Sequence, residues 1–215
     1  MAETALEKKI KQIIDETSSK YLGITIDRLS EELTMKAAKG LLDFNIDSTK
    51  SYREAKREFR RALLTRLLLL RLGNISEVAR DLEVDRRTIH RMVIELGIDV
   101  AGMKKNMARP YDVRLGDMNS RLENVLDRYK EIIHPNKLKT LYMNVSELSD
   151  SIIRELPLEM KSLKQAENDF EQAYLRQVLE KHNGAISEAA KSIEIRYETL
   201  ARKAKKLGIK RTSQR

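Results

Sequence analysis

Apolar residues recur at helical spacing along nearly the whole chain. Leu6, Ile10, Ile13, Ile14 and Tyr21 follow a Thr4-x-x-Glu7 capping box, which predicts a helix over about 5–20 that Gly23 breaks. Asp27 then stands where a cap belongs for a second helix carrying Leu29, Leu33, Ala37 and Leu41. A connector over 44–50 precedes Ser51-x-x-Glu54, and Tyr52, Ala55, Phe59, Ala62 and Leu63 continue into the leucine run before Gly73. Residues 99–116 hold Gly102, Pro110 and Gly116 with weak periodicity and read as a linker. Beyond it the pattern predicts a helix over 119–133 ended by Pro135. Shorter helices follow over 137–142 and 146–156, the last stopping before Pro157. No stretch alternates with period two, so the chain reads as all-α with about ten helices.

One pattern occurs twice. GNISEVARDLEVDRRTIHRMVIELGI, residues 73–98, returns at 184–209 as GAISEAAKSIEIRYETLARKAKKLGI, and the ungapped register extends back to Ser51 and Ser162. The chain therefore divides into two repeated halves, 1–108 and 109–215, each ending in this motif. Ser76 and Ser187 sit where an N-cap is expected for a short helix bearing Val78, Ala79 and Leu82, or Ala189, Ala190 and Ile193. A second helix follows with Ile89, Val93 and Leu96, or Leu200, Ala204 and Leu207, on one inward face, stopped by Gly97 or Gly208. The opposite face carries Arg86, Arg87, His90 and Arg91 in the first copy. In the second it carries Tyr197, Glu198, Ala201, Arg202 and Lys205. A DNA major groove accepts a helix with such a face.

These residues resemble the Fis-type helix-turn-helix, found also at the C-terminus of nitrogen-regulator-class bacterial enhancer-binding activators. The first copy keeps Gly73, Asn74, Ser76, Ala79, Arg86, Thr88, Arg91 and Leu96-Gly97-Ile98. The second keeps Gly184, Ser187, Ala189, Ala190, Thr199, Leu200, Arg202, Lys203 and Leu207-Gly208-Ile209. Val78, Met92, Ala185 and Tyr197 depart from the family pattern. The resemblance implies that 51–72 and 162–183 build a dimer-like interface while the two second helices enter successive major-groove segments. Because Fis-type domains work as homodimers, a chain with two copies is expected to supply both halves as an intramolecular pseudo-dimer. By position, Ser76 and Ser187 would touch phosphate, and Arg86 and Arg87 would read guanine. Thr88, His90, Arg91, Thr199 and Arg202 match family contact positions. Arg196 and Tyr197 stand at the helix entrance, and Lys203, Lys205, Lys206, Lys210 and Arg211 would neutralise backbone charge.

Composition narrows the alternatives. The net charge is +9 and the pI about 9.6. Residues 196–215 hold eight Lys and Arg against one acid, which favours a polyanionic partner. There is no cysteine, so disulfides and thiolate metal sites are out. His90, His134 and His182 stand apart from one another, and no metal or cofactor is expected. No glycine-rich GxxxxGK[ST] loop is present, which excludes the activators' ATPase module, and no catalytic constellation appears, so an enzyme is not expected. No apolar run spans a membrane and the first residues lack a signal-peptide layout, giving an expected cytoplasmic, nucleoid-associated protein. The expected function is a transcription regulator that binds double-stranded DNA sequence-specifically, with a second copy or RNA polymerase as further partners. The alternatives are a DNA-bending architectural protein and a helical interaction module.

Overall fold

The computed structural model describes residues 4–38, 47–105, 108–156 and 160–209. Within them the chain forms α1 (Ala5–Leu22), α2 (Asp27–Ala38), α3 (Tyr52–Leu70), α4 (Ile75–Asp81), α5 (Arg86–Glu95) and α6 (Val100–Lys105). These are followed by α7 (Pro110–Leu126) with a 3-10 turn (Asp127–Tyr129), α8 (Pro135–Glu155), α9 (Leu163–Lys181), α10 (Ile186–Ser192) and α11 (Tyr197–Lys206). There is no strand among the described residues. None of their helices is long and apolar enough to cross a membrane.

Local start signals explain most of the boundaries. Thr4, Ser51 and Ser162 each close a capping box, with Glu7, Glu54 and Gln165, satisfying orphan N–H groups at the first turn. Four expectations change. Ser76 and Ser187 lie inside α4 and α10 and do not cap them. Asn74 caps α4, its side chain accepting from the Ser76 and Glu77 N–H groups, while Ala185 offers α10 no side-chain cap. Asp27 is the first residue of α2 rather than its cap. Much of the expected 99–116 linker is helical, in α6 and the start of α7, because Pro110 sits at the first turn of α7, where its missing N–H costs nothing. Pro135 likewise opens α8, and that helix runs unbroken through Asn144, whose amide donates to the Thr140 carbonyl at 2.7 Å. Leu41, the start of the expected 44–50 connector, Pro157, Lys210 and Arg211 lie outside the described residues.

The compact units also differ from the two consecutive halves. One unit comprises 1–43 and 108–159, the other 44–107 and 160–215. In the first, α1 packs on α2 and α8, and α7 packs on α8 and α2, a closed ring of four helices. Its core holds Ile10, Ile14, Leu22, Leu29, Leu33, Leu122, Val125 and Ile152, all at most 3 % exposed. Each such side chain contributes about 1.5–3 kcal/mol on burial. The physical reason for the interleaving is that a two-helix hairpin cannot cover its own apolar stripe. The α1–α2 hairpin covers its stripe with the α7–α8 hairpin.

In the second unit, α3–α4–α5 and α9–α10–α11 correspond helix for helix, each helix of the second set beginning and ending 111 residues after its counterpart. Left-handed backbone recurs at matching places: Leu72 and Asn183, Gly73 and Gly184, Glu83 and Glu194, Gly97 and Gly208. After each of the three helices an N–H reaches back five residues: Gly73 to Leu68, Val84 to Ala79 and Ile98 to Val93. The counterparts Gly184 to Leu179, Ile195 to Ala190 and Ile209 to Ala204 do the same, all at 2.7–3.0 Å. These are the helix stops that set the angle between successive helices.

Candidate nucleic-acid interface

The short helices present their outward faces because their inward faces are filled. On α5, Ile89, Met92 and Val93 are buried with Leu96 just beyond it, and on α11 Leu200 and Ala204 are buried. Helical geometry then fixes what points away. Arg86, Arg87, His90 and Arg91 are exposed on α5, with Thr88 half-buried. They share that face with Ile94, which is 68 % exposed. On α11, Tyr197, Glu198, Arg202 and Lys205 are exposed, with Arg196 exposed at the N-cap position without a side-chain cap bond and Thr199 half-buried. Ser76 is half-buried and Ser187 exposed, each in the first turn of the preceding helix.

Lys203 departs from the expected backbone-neutralising role. Its ammonium donates to Glu171 Oε2 at 2.7 Å and lies 4.9 Å from the centre of the Tyr52 ring. Glu171 also accepts from Lys56 (2.7 Å) and from the Tyr52 hydroxyl. Burial alone would raise this carboxyl, but the hydrogen bonds from Lys203, Lys56 and Tyr52 outweigh it and hold it at about 2. Burial and the same carboxylate push the Tyr52 hydroxyl well above its ordinary value. Lys203 therefore ties α11 to α9.

Glu171 belongs to the seam between α3 and α9, which run antiparallel. Phe59 stacks on Phe170 with ring centres 4.4 Å apart, and Phe170 stacks on Tyr174. Lys56 pairs with Glu167 at 2.9 Å and Arg60 with Glu167 at 2.7 Å. At its edges the Tyr52 N–H donates to the Ile193 carbonyl (3.0 Å) and the Leu163 N–H to the Leu82 carbonyl (2.9 Å). Reading single helices missed these charged residues. The available signal was that positions 56 and 60 are basic where 167 and 171 are acidic. Also unanticipated is Lys104 on α6, whose side chain lies over Gly73 and lines a hollow with Ser76 and Arg86. It was hidden because α6 lies in the expected linker.

Charge is sorted between the units. The unit of 44–107 and 160–215 carries 27 Lys and Arg against 16 Asp and Glu, a net +11; the other carries 15 against 17, a net −2. All the excess positive charge thus accompanies the two exposed helices.

Two helices at a tight turn, the second exposed along a polar face and the first buried through small residues such as Ala189 and Ala190, define a helix-turn-helix. Residues 168–207 match the family model described as bacterial regulatory protein, Fis family. This segment is a Fis-type helix-turn-helix, which points to a DNA-binding regulator. Comparisons with curated proteins and with solved structures give no match.

Proposed function

We propose that the chain is a sequence-reading regulator of double-stranded DNA in which both α4–α5 and α10–α11 act as Fis-type helix-turn-helix units, paired within one chain. The observation that carries this reading is the helix-for-helix correspondence of the two sets at a spacing of 111, arranged about the α3–α9 seam. The +11 charge of the same unit supports a polyanionic ligand. On this reading α5 supplies base contacts through Arg86, Arg87, His90 and Arg91. The second helix, with Tyr197 and the tethered Lys203, supplies mainly phosphate contacts through Arg196, Arg202 and Lys205. Ser76, Ser187, Thr88 and Thr199 contact backbone beside them. RNA polymerase or another protein partner would meet the four-helix unit, whose charge is close to balanced.

Operator symmetry mirrors protein symmetry, and the two outward faces differ in sequence, so the preferred site lacks a two-fold axis. Selection from a random duplex pool, with retention measured against salt, tests this. The expected result is one asymmetric motif and an affinity that falls steeply as salt rises. A perfect palindrome would refute pairing within one chain. Tight binding with no motif would replace sequence reading by an architectural role, and no binding at low salt would replace DNA by a protein partner.

A further inference from the structure

The α3–α9 seam has the geometry of a two-fold interface without its chemistry. Exchanging each residue for its counterpart 111 positions away maps the seam onto itself. Phe59 meets its own counterpart Phe170, and Lys56 meets its own counterpart Glu167. The bond from Tyr52 to Ile193 becomes the bond from Leu163 to Leu82. The Arg60–Glu167 pair becomes the Glu171–Lys56 pair, both at 2.7 Å. Such self-complementarity is what an isologous dimer shows. The charges break it: both cations of the exchange, Lys56 and Arg60, stand on α3, and both carboxylates, Glu167 and Glu171, on α9. Lys203 partly offsets this sorting, being a cation on the acidic half. It adds a cation beside Glu171, whereas its counterpart Met92 is buried and neutral, so no like charge is added on the copy that carries Arg60.

Two α3 helices placed in this geometry would bring two lysines and two arginines together around the Phe59 pair with no anion. Two halves carrying α9 would bring four carboxylates together against two Lys203 ammonium groups, an excess of two negative charges. The carboxylates are largely withdrawn from solvent, Glu171 to 9 % side-chain exposure and Glu167 to 16 %, and Lys56 and Arg60 less so, at 22 % and 37 %; like charges so placed are screened less than fully exposed ones. We propose that Lys56, Arg60, Glu167 and Glu171 form a charge code by which unlike halves pair and like halves reject each other, with Lys203 moderating the acidic side. The seam accepts one kind of partner, a helix of opposite charge around a central Phe. The other half of the same chain fills that place and a like half of a second copy is turned away. Specificity of this kind comes from the repulsive alternative as much as from the attractive pairs. The inference stands apart from the DNA-binding reading, since it concerns how the halves choose each other and is measured without DNA.

The test uses the full chain in three forms: wild type, K56E/R60E, and a six-residue exchange (K56E, R60E, M92K, E167K, E171R, K203M) that moves the code to the opposite halves. Thermal unfolding is followed at low and high salt, with mass read by light scattering. K56E/R60E crowds four carboxylates at the seam and is expected to lower Tm by about 10 °C, with little recovery at high salt because salt screens partly buried charges weakly. The exchange form is expected to recover most of that loss and to keep the mass of one chain, 24.9 kDa. Failure of the exchange to recover Tm, or an unchanged Tm in K56E/R60E, would overturn the code. If K56E/R60E does not fold, the exchange form alone decides between the outcomes.

Discussion

Among single side chains, Glu171 has the most consequential surroundings. Its carboxyl is held at about 2 by three donors despite burial, below its ordinary value of 4.5. A lowered carboxylate contributes stability that is fully present above about pH 4.5 and is lost as pH falls toward 2. The shift corresponds to roughly 1–3 kcal/mol after allowance for partial solvent screening. Urea unfolding across pH 2–6 should therefore show a loss of stability in the wild type that is smaller in Glu171→Gln. Equal pH slopes would remove Glu171 as the cause. Glu83 and Glu194 present a different residue-level feature, since both hold left-handed backbone at the stop of the short helix, φ 54° and 59°. A side chain there costs about 1 kcal/mol or more. Glu83→Gly should raise stability by about 1 kcal/mol, read as an increased urea midpoint, because glycine enters this conformation without the steric penalty.

On the scale of elements, α5 and α11 share a frame and differ in what they can do with it. The outward face of α5 carries two adjacent arginines at its entrance, whereas α11 opens with Tyr197 and Glu198 and ties Lys203 back to Glu171. Arg86→Ala should cost about 1–3 kcal/mol against the preferred site and relax selection at one position. Lys205→Ala should weaken binding to all sequences about equally. Binding measured on preferred and scrambled duplexes separates the two, and equal losses of preference would refute the division of labour. The helices themselves were largely legible in the sequence, because capping boxes and apolar periodicity are local signals. The α6 helix and the start of α7 were not: Gly102, Pro110 and Gly116 carry local signals for a break. The structure removes that break locally: Asp99 Oδ1 accepts from the Gly102 N–H at 2.8 Å at the start of α6, and Pro110 stands at the first turn of α7, where no N–H is needed.

For the whole molecule, the decisive property is that charge follows the compact units rather than the chain order. With +11 on one unit and −2 on the other, the salt dependence of binding should arise from the first alone. Lys205→Gln should reduce the slope of log affinity against log salt by about 0.9. Lys8→Gln and Lys139→Gln, exposed on the four-helix unit, should leave it unchanged. A comparable fall for the latter pair would place the polyanion on both units.

The sequence alone determined the helical class, the stops at Gly97 and Gly208 and the outward residues of the two exposed helices. All of these depend on spacing within a few turns. Tertiary structure decided what depends on residues far apart in the chain: that α1–α2 is completed by α7–α8, that Lys203 turns inward to Glu171, and that the α3–α9 seam is charge-sorted. A lysine on a helix looks the same in sequence whether it meets a phosphate or a buried carboxylate. Which one it meets is fixed by the helix packed against it, whose carboxylate lies 32 residues away in the chain for Lys203 and 115 for Lys56.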